Sequence, residues 1–302
     1  MKRIPYVILT AWVLFLGSCN EKENPGNTIT LPIQAYQEHQ PTAHHITALE
    51  VLDASKKWIA AFNAGNAFNA GNAYAQDAVM QAAPFGKKQG KQEIPSFWAG
   101  LIESGASDLS YSNVGIEVVD EKTAFLSAHW QMNIGTGIIY QEKWEKEEGQ
   151  WKLTYDDFEV LEQFEKPMPN VSSPTGSHQV LEEVIKESME WITAFNAQDG
   201  ERCGQAYWEE ATMNAMPITS AHEVAEIRSF WKQLISDGAK NLIYHNPSLS
   251  QVAPDRVLLS AHWSMNIGEG KIYQEKWVKS EGKWGYAYDE FQVLKSYSQH
   301  ID

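Results

Sequence analysis

Residues 127–144 read SAHWQMNIGTGIIYQEKW, and residues 260–277 read SAHWSMNIGEGKIYQEKW. The match runs outward from this stretch without a gap, at an offset of 133 residues. It pairs His45 with His178, Trp58 with Trp191, Phe62-Asn63-Ala64 with Phe195-Asn196-Ala197, Tyr74 with Tyr207, Phe97-Trp98 with Phe230-Trp231, and Asp156 with Asp289. Roughly half of the positions between 45 and 164 equal their partners. The chain is therefore written twice. Solenoid and propeller units repeat every 20–50 residues or so, whereas each copy here is long enough to bury a core of its own.

Working outward from the quoted stretch, the period of the apolar residues changes along each copy. Leu49, Leu52, Ala60 and Phe62, with Trp58 and Ile59, give an apolar stripe and predict a helix over about 46–64. Its copy covers about 179–197. A short helical stretch ending near 74–78 and 207–211 is expected next, then a third helix over about 92–103 and 223–236. Gly105 and Gly238 are candidate helix C-caps. Beyond them, strands are expected at about 109–119, 123–134, 137–147 and 150–161, and again 133 residues later. Helices first and an antiparallel sheet after make each copy α+β. The proline-rich stretch EKPMPNVSSPTGS (165–177) has no periodicity and marks a linker. The expected division is a leader at 1–19, a flexible tether at 20–44, one domain at 45–164, the linker at 165–177 and a second domain at 178–302.

The hairpin at 123–147 decides which side chains meet inside. With the loop centred on Thr136, one face carries Ala128, Trp130, Met132, Ile138, Tyr140, Glu142 and Trp144. The other carries Ser127, His129, Gln131 and Lys143. Sheets with one buried side resist a one-residue slip, because it mixes the faces. Glu142 and its copy Glu275 are then carboxyls in an apolar layer, where desolvation raises the pKa and favours an acid–base or anchoring role. The alternative is a plain hydrogen bond to a Tyr or Trp. His129 and His262 sit among polar neighbours and are expected where the two copies meet. Asp156 and Asp289 are either structural acceptors or pocket groups. The remaining pocket candidates are Trp58, Tyr74, Trp98, Trp130, Tyr140 and Trp144, with their counterparts Trp191, Tyr207, Trp231, Trp263, Tyr273 and Trp277.

Composition narrows the function classes. A formal charge of −15 repels phosphate backbones, which argues against nucleic-acid binding. The 12 Trp and 12 Tyr suit apolar cavities as well as cores. With two cysteines, Cys19 and Cys203, and nine scattered His, neither a disulfide framework nor a metal constellation is expected. No Gly-rich phosphate loop points to a cofactor. Lys2 and Arg3, an apolar run from Ile4 to Leu16, and Leu16-Gly17-Ser18-Cys19 form an export leader too short to span comfortably. Its end resembles a bacterial lipobox, with lipidation at Cys19 the only membrane contact expected. That resemblance implies an envelope location on the outer membrane, since Asn20 is not the Asp associated with inner-membrane retention.

The sequence as a whole, with WIAAFNAGN (58–66), AYAQDAVM (73–80), Pro84, Phe97-Trp98, SAHW (127–130) and YQEKWEKEEGQWKLTYDDF (140–158), resembles the nuclear transport factor 2-like superfamily, in particular its SnoaL-like and ketosteroid-isomerase-like domains. The resemblance implies two cone-shaped α+β barrels in tandem, each with three helices on a curled sheet around an apolar pocket, paired as a pseudo-dimer within one chain. It does not carry over the steroid-isomerase mechanism. The residues before Pro84 and Pro217 are Ala82-Ala83 and Ala215-Met216, where that family has its Asp base. The family's first-helix Tyr falls at Trp58 and Trp191. Neither Ala nor Met abstracts a proton, and an indole does not replace a phenol. The family's protonated Asp falls near Gln141 and Glu142. The expected function is binding of a small apolar or aromatic molecule in each pocket. The alternatives are a cofactor-independent isomerase, cyclase or hydrolase using Glu142 and Glu275, or a partner-binding protein with filled pockets.

Overall fold

The computed structural model describes residues 40–297; the leader, Cys19 and most of the 20–44 tether lie outside the described residues. The first half contains α1 (Ala43–Asn63), α2 (Ala67–Asn72), β1 (Tyr74–Ala83), β2 (Gly86–Gln89), α3 (Gly90–Glu103), β3 (Ser110–Asp120), β4 (Thr123–Met132), β5 (Gly135–Glu147) and β6 (Gln150–Gln163). The second half repeats that order as α4 (Gly176–Asn196), α5 (Gly200–Gln205), β7 (Tyr207–Met216), β8 (Thr219–Ala221), α6 (Val224–Ser236), β9 (Ile243–Ala253), β10 (Arg256–Met265), β11 (Gly268–Ser280) and β12 (Lys283–Ser296). The architecture is α+β. Its twelve strands form one sheet in the order β2-β1-β6-β5-β4-β3-β9-β10-β11-β12-β7-β8. All pairs are antiparallel except β1–β6 and β7–β12.

Helix α1 buries His45, Ala48, Leu52, Ser55, Ile59 and Phe62, and α4 buries His178, Leu181, Ile185, Ser188, Ile192 and Phe195. Those are alternating steps of three and four residues, one helical face laid on the sheet. Gly105 and Gly238 have φ of +95 and +98 and close the helices before them, as a C′ glycine does. The short helices expected to end near 74–78 and 207–211 end earlier: α2 stops at 72 and α5 at 205, and strands β1 and β7 follow. Alanine-rich sequence favours helix locally, but residues of β1 alternate in burial and pair in parallel with β6, and that tertiary pairing overrides propensity.

The hairpin register also differs from the expectation. Met132 faces Gly135 across a two-residue turn at Asn133-Ile134, and Trp130 faces Gly137. A shift then intervenes, so that Ala128 faces Ile139 but Leu126 faces Glu142. This β-bulge turns two successive residues, Tyr140 and Gln141, away from the core. Ile139, Glu142 and Trp144 remain inside, while Tyr140 is 54% exposed and Tyr273 44%. The two tyrosines are therefore not pocket residues. Their hydroxyls donate to Glu159 and Gln292 on the outer face, at 2.6 and 2.8 Å.

The two halves meet in two layers. Strand β3 pairs with β9 at Gly115–Ser250, Ile116–Leu249 and Glu117–Ser248. At Gly115 a Cβ would stand 3.0 Å from Ser127 Oγ and 3.3 Å from Ser250 Oγ, which favours glycine at this close approach. Above the sheet, α1 and α4 exchange reciprocal contacts. His45 Nε2 lies 3.0 Å from Ser188 Oγ, Ser55 Oγ lies 3.0 Å from His178 Nε2, and Lys56 pairs with Glu182. Both imidazoles are fully buried, and burial lowers their pKa to about 3, with help from His44 at His45 and from Lys56 at His178. They are neutral at physiological pH. His129 and His262, expected at this junction, are exposed on the outer face instead. They follow the outward phase of β4 and β10, whereas the junction is made by strand edges and the inner helices.

Replacing Ser188 by Ala should strand a buried His45 nitrogen and lower the unfolding free energy by about 1–3 kcal/mol. Ser55→Ala should do the same through His178. Urea midpoints measure both, and unchanged midpoints in the two variants would show that these contacts do not hold the halves together.

Candidate functional site

The inner face of β5 and β6 brings two carboxyl groups together. Glu142 on β5 and Asp156 on β6 are directly opposite in the ladder, and they are 2% and 4% exposed. Four aromatic donors, supplied by four elements, surround them. Tyr111 on β3 donates to Glu142 Oε1 at 2.9 Å, and Trp144 on β5 donates to Glu142 Oε2 at 2.9 Å. Tyr74 at the start of β1 donates to Asp156 Oδ2 at 2.6 Å, and Trp98 on α3 donates to the Tyr74 oxygen at 3.1 Å. Sequence reasoning placed Glu142, Trp98, Trp144, Tyr74 and Asp156 inside, and the structure assembles them into one network.

Burial is the largest cause of the shifted acidities. It raises Glu142 to about 8, with the neighbouring Asp156 charge adding and the Trp144 and Tyr111 hydrogen bonds opposing. It raises Asp156 to about 7, opposed by Tyr74. Tyr74 and Tyr111 are pushed well above the ordinary phenol value, first by burial and then by the carboxylates beside them. Two buried carboxyls this close do not both ionise near neutrality, so the pair retains a proton and titrates as a unit.

A cavity of about 330 Å³ opens beside the pair, between α1, α3 and the sheet. Trp58, Trp98, Trp130, Tyr111, Phe158 and Asp156 are among its walls. Its volume lies at the lower end of small-ligand pockets, roughly 300–1,000 Å³. Asp156 borders it; Glu142, Tyr74 and Trp144 stand behind the wall. Trp130 lies against Gly137, where a Cβ would come within 2.4 Å of the indole and 2.0 Å of the Glu159 carbonyl. That glycine is required for the indole to reach its place in the wall.

The second half repeats the network. Tyr244 donates to Glu275 Oε1 at 3.0 Å, Trp277 to Glu275 Oε2 at 2.9 Å, Tyr207 to Asp289 Oδ2 at 2.6 Å, and Trp231 to the Tyr207 oxygen at 3.2 Å. Burial again raises Glu275 to about 8 and Asp289 to about 7. Trp191 and Trp263 hold the positions of Trp58 and Trp130 and are buried. Tyr111 and Tyr244 were not identified from the sequence, although both are identical between copies and lie in strands recognised there. Among the described residues, no group of three or more His, Cys, Asp or Glu is placed to hold a metal ion.

No family model matches this chain, and no curated protein matches it. Several solved structures are similar to part of it. A protein of unknown function with a cystatin-like fold from Nostoc punctiforme is 18% identical, covering 37% of this chain and 89% of its own, at a TM-score of 0.34. An NTF2-like protein with a cystatin-like fold from Novosphingobium aromaticivorans is 13% identical over 42% of this chain and 92% of its own, at 0.35. ActVI-ORFA from Streptomyces coelicolor is 11% identical over 38% of this chain and 98% of its own, at 0.34. At these levels of likeness, the chemistry of the site rests on its own residues.

The raised pKa values have a consequence for stability. Folding takes up protons wherever the pH lies between the ordinary carboxyl value near 4 and the folded values of about 7 and 8. That contribution is fully present below about pH 4 and is lost as the pH rises through the folded values, by about 1.4 kcal/mol per pH unit for each proton. The melting temperature should therefore fall between about pH 5 and pH 9, and more steeply than in a Glu142→Gln, Glu275→Gln double variant. Parallel slopes for the two proteins would mean that the carboxyl pairs are not its source.

Proposed function

We propose that the chain is a lipid-anchored envelope protein of two nuclear transport factor 2-like domains, bounded as 45–164 and 178–302, which binds a small apolar or aromatic molecule. The observation that carries the reading is the first-half cavity: about 330 Å³, walled by aromatic rings, with one buried carboxyl at its edge. An aromatic wall supplies burial and ring-face contacts to a flat apolar guest, and a few polar groups fix its orientation. The pseudo-dimer reading is supported by β3 pairing with β9 and by the reciprocal α1–α4 contacts. The envelope location rests on the leader sequence and Cys19.

A second reading, proton transfer to the bound molecule, is favoured by one observation. The carboxyl bordering the cavity is backed by another carboxyl whose oxygens both accept hydrogen bonds, so the pair has a proton to give or take near neutrality. The group that would exchange it is Asp156, which borders the cavity and whose pKa is raised first by burial.

The chain from Asn20 onward, purified from its own host, keeps every described residue and is suited to native mass spectrometry. A bound small molecule should appear as an added mass, and Leu101→Trp, which fills the cavity from α3, should lose it. An empty chain whose melting temperature no aromatic compound raises would refute the binding reading. Cys19→Ala in the full chain should move the protein out of the membrane fraction; retention there would refute the anchor.

A further inference from the structure

The tyrosine that serves the first carboxyl pair is held from the other half of the chain. Tyr111 borders the cavity and donates to Glu142 Oε1 at 2.9 Å. It stands near the start of β3, where Trp130 of β4 pairs with it on one side. On the other side, the β3–β9 ladder covers Gly115, Ile116 and Glu117 and does not reach it. A register shift and Asn113, with a φ of +50, lie between. Groups from beyond the first domain support Tyr111 instead. Pro174, in the stretch leading into α4, accepts from its backbone N–H at 3.1 Å. His178 of α4 stacks on the phenol ring, with centroids 5.8 Å apart and planes at 26°. Ser55 Oγ of α1 lies 3.0 Å from His178 Nε2 and holds the imidazole in place. The arrangement recurs in reverse. Pro41 accepts from the Tyr244 N–H at 3.4 Å, His45 packs against the Tyr244 ring at 5.9 Å, and Ser188 holds His45.

We propose that His178 is a positioning residue for the first-half site and His45 for the second-half site, so that each carboxyl pair depends on a side chain of the other half. The dependence concerns the pair and not the guest, so it goes beyond both functional readings above and stands apart from either. A phenol aimed at a buried carboxyl acts only while its ring is fixed. A flat ring packed on its face fixes it without competing for the hydroxyl. Burial holds His178 uncharged at physiological pH, so it acts through its shape. The titratable groups facing it are Tyr111 from β3 and Lys56 from α1, the latter paired with Glu182 of α4. Those facing Glu142 are Asp156 from β6, Tyr111 from β3 and Tyr74 from β1.

Carboxyl carbon-13 resonances of the chain from Asn20 onward, followed against pH, read the two pairs separately once Glu142→Gln and Glu275→Gln have assigned them. Tyr111→Phe removes a hydrogen bond to the ionised form, so it should raise the Glu142 titration by about one pH unit or more. His178→Ala should move it in the same direction and leave the Glu275 titration where it was. His45→Ala should do the reverse. His178→Phe keeps a ring against Tyr111 and loses the Ser55 contact, so it should restore the Glu142 titration even where the melting temperature stays low. If His178→Ala does not fold, Ser55→Ala and Ser188→Ala make the same crossed comparison, each freeing one imidazole. In either set, a Glu142 titration that stays put in the folded variant, or that moves together with that of Glu275, would overturn the proposal.

Discussion

Two carboxyl groups on adjacent strands inside an apolar core set the terms for everything packed around them. Neither Glu142 nor Asp156 has a cation beside it, and each is almost wholly withdrawn from water. The network meets that desolvation with three aromatic donors, Tyr111, Trp144 and Tyr74, the last held in turn by Trp98, rather than with a salt bridge. Hydrogen bonds to ionised groups contribute about 1.5–3 kcal/mol each, and a stranded partner loses comparably. The donors must therefore stay in place, which fixes the relative positions of β1, β3, α3 and β5. Trp98, Tyr111 and Asp156 are the members of this arrangement that reach the wall of the cavity.

One donor in each half is itself held across the junction between the halves. The Tyr111 ring, which carries the proton donated to Glu142, stacks on His178 of α4 with centroids 5.8 Å apart. Tyr244, the equivalent donor to Glu275, packs against His45 of α1 at 5.9 Å. Each histidine is in turn fixed by a serine of the opposite helix. A chain of contacts thus runs from the serine of one half through its partner's histidine to a tyrosine and a carboxyl. Neutral imidazoles suit this position, because a charged ring would have to be desolvated beside an apolar core. The junction and the two carboxyl pairs are parts of one packing problem.

Much of this was legible in the amino-acid sequence, and what was not has identifiable causes. The 3–4 spacing of α1 and α4 and the alternation of β4 are local signals, so the helices and the hairpin were readable. Glu142 was found on the inner face even though the register assumed for the hairpin differed, because the bulge restored its phase. The same bulge sent Tyr140 outward, and no single-strand alternation rule anticipates an extra residue. Strand β1 was hidden by its alanines. Tyr111 was missed because the residues around it, Ser110, Ser112 and Asn113, look polar, and Asn113 has a left-handed φ of +50 that breaks the alternation. His45 and His178 were visible only as identical positions. Their role depends on two helices far apart in the chain lying side by side, a long-range fact that periodicity does not carry.

The differences between the halves indicate which parts of the design are interchangeable. Leu153, buried behind the first pair, is replaced by Tyr286, whose ring packs 4.6 Å from Tyr207 and 3.9 Å from Trp277. The Trp58 indole N–H has no protein partner, whereas that of Trp191 donates to the Cys203 carbonyl at 3.2 Å. Phe85 and Phe164 on the cavity wall correspond to Ile218 and Tyr297. Substitutions thus fall both behind the carboxyl pairs and on the wall in front of them. The four donors and two acceptors keep their identities, and their distances agree to about 0.1 Å. Apolar surroundings tolerate changes of shape when volume is made up elsewhere. A buried carboxyl tolerates the loss of a donor far less, since nothing nearby can replace the lost hydrogen bond. The cage of donors is therefore the constrained element, and the wall around it is where the two copies are free to differ in what they admit.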